Sequence, residues 1–131
     1  MNFLHLLAAV PLMAANPGTV ASMRWERRVL LVSAPNAQDA ALAAQRRIVA
    51  GWQSAGEARD LRVVEVVGGE VAGATDAASA LRRKYRLPGK DFAAILIGKD
   101  GGEKLRSARP IPATVLEDTI DAMPMRRNGK R

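Results

Sequence analysis

The side chains in this sequence that could do chemistry are few. The chain has no cysteine and a single histidine, His5, which lies in an apolar amino-terminal stretch expected to be removed. Thiol and disulfide chemistry is therefore excluded. A structural zinc site needs thiolates or imidazoles. A serine or cysteine nucleophile needs a base, most often histidine. What remains is carboxylates, Lys, Arg, Ser/Thr and Tyr85. Two of their arrangements stand out. Lys99-Asp100-Gly101-Gly102 reads either as a clamp for a small anion or metal ion, or as a tight turn whose Asp-Gly pair accepts positive φ. Asp121 is expected in the last turn of a helix, where the dipole disfavours an acid. It calls for a cationic partner, with Arg28, Arg126 and Arg127 as candidates. That group would form either an ion pair pinning the terminal helix or a pocket for a carboxylate or phosphate, which Arg binds bidentately. The candidate binding residues are thus Arg28, Lys99, Asp100, Asp121, Arg126 and Arg127. No catalytic residue, metal ligand or cofactor is assigned. Gly68, Gly69 and Gly73 fit neither the dinucleotide nor the Walker spacing and read as a loop.

Charge adds one more function class to weigh. The formal net charge is +7, but without Arg126, Arg127, Lys130 and Arg131 it falls to +3, from 16 basic and 13 acidic residues. Most of the excess is the C-terminal run, with a second cluster at Arg82-Arg83-Lys84. Such patches suit anionic lipid or polymer. Interleaved aromatics for stacking bases are missing, which argues against nucleic acid. Aromatics are only 4% of the chain, so the core must be built from Ala, Val, Leu, Ile and Met.

The elements that position these residues follow from periodicity. Arg28 to Ala34 is a continuous apolar run, the pattern of a strand buried on both faces. Asn36 is placed to cap a helix over Ala37 to Ser54, closed by Gly56. Leu61 to Val67 reads as a second buried strand, followed by a loop from Gly68 to Ala74. A helix capped by Thr75 runs to Arg86, with Ala78, Leu81 and Tyr85 inward, and Leu87-Pro88-Gly89 ends it. Phe92 to Gly98 is a third strand and Lys104 to Ser107 a fourth, at a sheet edge. Pro112 opens a last helix, with Val115, Leu116, Ile120 and Met123 on one face, and Pro124 stops it. Trp25 is expected to cover an open edge of the core. The order βαβαββα allows one parallel pair and demands antiparallel last strands. It predicts an α/β domain, thioredoxin-like, with a four-stranded mixed sheet flanked by helices.

The first residues read differently. Phe3 to Ala15 is an uncharged apolar run of 13 residues, too short for a membrane span of about 20 but suited to a secretory signal. Small residues at Thr19-Val20-Ala21 place cleavage before Ser22. The expected organisation is a signal peptide over 1–21, a domain over 22–125 and a basic tail over 126–131. It has no transmembrane span and a periplasmic or extracellular destination.

Several blocks carry a resemblance. They are Trp25 with Arg28 leading into LLV, Arg59-Asp60-Leu61, Phe92, Leu96 to Gly101 with Lys104, and Ile120 to Arg127 (IDAMPMRR). With these, residues 23–127 resemble a peroxiredoxin-like family of unknown function, found in short exported bacterial proteins and in vertebrate sushi-repeat-containing matrix proteins. The resemblance implies a thioredoxin-like fold and, for bacterial members, export, but no known reaction. In redox-active relatives the reactive thiol lies where the first strand meets the first helix. Here that stretch is Ser33 to Asp39, without a thiol.

The leading expectation is a non-enzymatic binding or interaction module whose partner is another exported protein or an anionic ligand. Two alternatives stand beside it. One is a peroxiredoxin-like oxidoreductase dependent on a cofactor or a partner's thiol. The other is a basic module docking through Arg82–Arg86 and Arg126–Arg131.

Overall fold

The computed structural model describes residues 18–129. Seven-residue strand β1 (Arg28–Ala34) is buried along its whole length, as its unbroken apolar run requires. It pairs in parallel with β2 (Leu61–Val67) from Arg28↔Leu61 to Ala34↔Val67. On its other side it pairs antiparallel with β4 (Ala93–Ile97), and β4 pairs antiparallel with β5 (Glu103–Ser107). A fifth strand, β3 (Glu70–Ala72), lies antiparallel to β2, where a loop was expected. The order is β3-β2-β1-β4-β5. Gly68, at φ +58°, lets the chain reverse directly onto β2. Three residues with one inward side chain, Val71, are too few for alternation to show in sequence.

The sheet separates two apolar layers. One face carries Val29, Leu31, Val64, Val66, Ile95 and Ile97 beneath α3 (Ala78–Tyr85) and the entering segment with Val20 and Met23. The other carries Leu30, Val32, Ala94 and Leu96 beneath three helices, with a short fourth following the last of them. These are α1 (Ala40–Gly51), α2 (Gln53–Ala58), α4 (Ala113–Asp121) and α5 (Pro124–Arg127). The two faces of β1 thus alternate between cores at the strand period of two.

Several boundaries move from their expected positions. Asp39, not Asn36, caps α1, its carboxylate accepting from the Leu42 N–H at 3.0 Å. Asn36 instead accepts from the Gln38 N–H, an Asx turn before the helix. The expected single helix over 37–54 is two, broken at Trp52 (φ −120°). Ala77 rather than Thr75 stands at the N-cap of α3. Pro124 begins α5 after the main helix has ended at Asp121.

Gly18–Ala21, which fall within the leader expected over 1–21, are built into the fold. The Thr75 N–H donates to the Gly18 carbonyl at 2.8 Å. The Val20 N–H donates to the Asp76 carboxylate at 2.8 Å, and the Val20 side chain is buried. The rest of the expected leader, residues 1–17, lies outside the described residues, as do tail residues 130 and 131. Among the described residues no helix is long and apolar enough to cross a membrane.

Candidate functional site

The chain enters β1 through a charged junction at the amino ends of β1 and β2. Arg28, the first residue of β1, is only 1% exposed. Its guanidinium donates to the Arg59 carbonyl at 2.8 Å and to the Met123 sulfur at 3.3 Å. Burial lowers its pKa, and the Arg126 charge adds to the effect. Arg59 forks onto Asp121 with two bonds of 3.0 Å. It also donates to the Ala55 carbonyl and sits over the Trp52 ring at 5.7 Å. Arg126 reaches the same carboxylate at 3.3 Å and the Ala58 carbonyl. The Arg59 hydrogen bonds, with help from Arg126, hold the Asp121 carboxyl below its ordinary range.

Asp121, Arg126 and Arg28 therefore come together, but as a closed network between α4, α5 and the α2–β2 turn. Asp121 finds its main partner in Arg59, which stood among the anchor residues but not among its candidate partners. Arg127 is exposed on the outer side of α5. Of the two readings open for this group, the arrangement is that of an ion pair pinning the terminal helices.

Lys99 also points inward. Its ammonium bonds the Asp60 carboxylate at 2.8 Å, with side chains 7% and 14% exposed, and Arg27 stands 4.0 Å from the other Asp60 oxygen. Asp60 sits at φ +54°, one of three non-glycine residues in the left-handed region among the described residues. Asp100, beside Lys99, forms the hairpin turn. Its carboxylate accepts from the Gly102 N–H at 2.9 Å and from Lys104 at 2.9 Å. Both lower its pKa, the backbone bond most. Gly101, at φ +84°, completes the reversal.

That hairpin is one wall of an open groove of about 370 Å3. The floor is Val29 and Ile97, the second wall is the segment from Val20 to Arg27, and the third is the end of α3 at Lys84 and Tyr85. Arg24, Arg27 and Lys84 line it against one acid, Asp100, which is already engaged by Lys104. Arg24 lies 5.5 Å from the Trp25 ring and Lys84 5.4 Å from that of Tyr85. Trp25 does not cover the core as expected. It is 59% exposed because its backbone stands at φ +71°, fixed by its N–H donating to the Lys99 carbonyl at 2.6 Å. Sequence reasoning missed this groove. The available signal was the run Met23-Arg24-Trp25-Glu26-Arg27-Arg28, an aromatic set among arginines, of which Arg28 alone turns inward.

Pro35 to Asp39 connects β1 to α1 without a thiol. Among the described residues no group of three His, Cys, Asp or Glu side chains could hold a metal ion.

The family model described as a domain of unknown function, DUF4174, matches residues 19–129. The chain belongs to the DUF4174 family. The DUF4174 domain is also similar in structure to the reduced 2-Cys peroxiredoxin of Plasmodium vivax. The TM-score is 0.61 at 13% identity, covering 83% of this chain and 84% of that one. A second likeness is thioredoxin peroxidase I of Plasmodium yoelii, with TM-score 0.61 at 14% identity over 83% and 79% of the two chains. At this identity the likeness shows the fold alone. The DUF4174 domain thus has the thioredoxin-like architecture expected from the order of its elements, with one strand more, and without a cysteine.

Proposed function

We propose that this DUF4174 domain is a non-enzymatic binding module whose ligand is anionic and lies in the groove between Arg24, Arg27 and Lys84. The observation that supports the reading is the lining: Arg24, Arg27 and Lys84 converge from two segments on one open concavity whose lining acid, Asp100, is engaged by Lys104, and of the three cations Arg27 alone stands at an acid, 4.0 Å from Asp60. A concave site with a partly apolar floor and a few convergent polar groups is the usual form of a small-ligand site. The patches Arg82–Arg86 and Arg126–Arg131 fit a docking surface less well. Arg82 is tied to the Gly68 carbonyl and Arg126 to Asp121.

The reading places the module outside the cytoplasm, on the strength of the apolar run Phe3 to Ala15. Because Gly18 and Val20 are bonded into the fold, removal of a leader is compatible with it upstream of Gly18, with Ala14-Ala15 as the small residues at the cut.

Titration of the purified domain with inorganic pyrophosphate, followed by amide NMR shifts, tests the ligand class. Shifts confined to residues 20–29, 84–85 and 97–102, and lost in the Arg24→Ala/Arg27→Ala variant, are expected. Absence of shifts, or shifts spread evenly over every exposed cation, refutes the proposal.

A further inference from the structure

The groove does not end at Tyr85. A second concavity of about 410 Å3 is lined by Lys84, Tyr85, Arg86, Glu103 and Arg106, so Lys84 and Tyr85 belong to both. Building on the anion-binding reading, we infer that the ligand is a small linear dianion, with one anionic group in each lobe and an apolar body lying across Tyr85.

Each lobe has its own cations. The first has Arg24 and Arg27. The second has Arg86, with Lys84 at the junction, while Arg106 there is taken up by Glu103 and the Tyr85 carbonyl. The second lobe's acid is as fully committed as the first's: Glu103 accepts two bonds from Arg106, at 3.0 and 3.1 Å, and these bonds lower its pKa. The two carboxylates are thus internally compensated, and Arg24 and Lys84 contact ring faces rather than acids.

The geometry of the second lobe is fixed rather than incidental. Arg106 also donates to the Tyr85 carbonyl at 2.6 Å, tying β5 to the end of α3. Arg86 is held at φ +53° as the residue that ends α3, with the Leu87 N–H closing onto the Arg82 carbonyl at 3.0 Å. Between the lobes stands Tyr85, half-buried, its ring capped by Lys84. The floor of the first lobe, Val29 and Ile97, belongs to the inner strands β1 and β4, each paired on both sides. No free backbone ladder is offered there for an extended peptide to join. Side-chain charge and an apolar surface are what the groove presents.

The volumes set the spacing. Two small-ligand-sized concavities that share Lys84 and Tyr85 set their anionic groups on the order of 7–10 Å apart. A linear dicarboxylate with about six methylenes matches that span at roughly 1.3 Å per carbon.

Calorimetric titration with a series of linear dicarboxylates from malonate through suberate to dodecanedioate, with octanoate as the single-charge control, tests the inference. Suberate is expected to bind at least tenfold tighter than malonate or octanoate, the affinity falling again at dodecanedioate. Arg86→Gly with Arg106→Gln should weaken suberate about tenfold and leave malonate within twofold. Arg24→Ala with Arg27→Ala should weaken both. Glycine is used at Arg86 because it adopts the left-handed backbone, and thermal melts report whether each variant folds. Affinity independent of length, or suberate binding indifferent to the second-lobe variant, overturns the two-lobe inference while leaving single-anion binding intact. Hexaglutamate binding as tightly as suberate, with the same variant pattern, overturns the small-molecule assignment. Failure of malonate, pyrophosphate and suberate alike overturns the anion-binding reading itself.

Discussion

Replacing Lys99 by Met isolates what the buried Asp60–Lys99 pair does for this fold. Lys99 follows β4 and starts the hairpin that walls the groove, and its carbonyl holds the Trp25 N–H. The pair is 2.8 Å long and nearly dry. Removing one partner of a buried pair costs about 3–5 kcal/mol, because the remaining charge is left desolvated. Here Arg27, 4.0 Å from Asp60, keeps part of the carboxylate's compensation. Lys99→Met is therefore expected to cost about 2–3 kcal/mol. Asp60→Asn strands an ammonium with no second acid within ion-pair distance among the described residues and should cost about 3 kcal/mol. The double variant removes both charges together. It should fall short of the sum by about 2 kcal/mol, within the coupling energies measured for contacting residues. For a domain of this size about 4 °C of melting temperature goes with each kcal/mol, so Lys99→Met should melt about 8–12 °C below the parent. Equilibrium urea unfolding followed by circular dichroism gives the four corners of the cycle. Additivity to within about 0.5 kcal/mol would show that the two charges do not stabilise each other, and the argument would fall.

Four further outcomes follow from the same structure. Arg28→Ala should destabilise by about 3–4 kcal/mol, through a cavity and an orphaned Arg59 carbonyl, whereas Arg28→Met, which refills the volume, should cost less than half of that in urea unfolding. Ser33 is wholly buried and its hydroxyl has no hydrogen-bond partner, so Ser33→Ala should raise stability by about 1 kcal/mol by the same measurement. The carboxyls of Asp100, Glu103 and Asp121 all sit below their ordinary values, through the Gly102 N–H, Arg106 and Arg59 in turn. Groups lowered in the folded state stabilise it above the unfolded value and lose that contribution as pH falls through the folded one. Melting temperature should thus drop below about pH 4, by a modest amount that salt reduces, because these pairs are half exposed. A chain beginning at Ser22 lacks Val20 and the Gly18 carbonyl, and should melt well below one beginning at Asn16; equal melting temperatures would separate the entering segment from the core.

Particular residues show where sequence reading succeeds. Burial of β1 was legible because, after Arg28, the run Val29 to Ala34 has Ser33 as its single polar residue and cannot face water on either side. The hairpin at Asp100-Gly101 was legible because its turn needs positive φ at the glycine. The extra strand β3 was not, since its pairing depends on β2 being close by and not on its own pattern. The helix break at Trp52 was hidden for a similar reason: the apolar spacing runs on through it, and packing of the indole against α4, with its N–H on Glu117 at 3.0 Å, decides where the chain bends.

The candidate site divides in the same way. Sequence alone determined that this protein has no thiol chemistry, since no arrangement in space creates a missing sulfur. It also determined the order of the four longer strands and the main helices, because that order is written in local periodicity, while β3, the break at Trp52 and α5 are not written there. Which arginines face inward was decided only by tertiary structure. Arg24, Arg27, Arg28 and Arg59 are alike in type and nearly alike in local context. The parallel register of β1 with β2 buries Arg28 against the Arg59 carbonyl, whereas Arg24 lines the groove beside the Gly101 turn. Charge is a property of the residue, but whether it holds a helix or awaits a ligand depends on which opposite charge lies within about 4 Å.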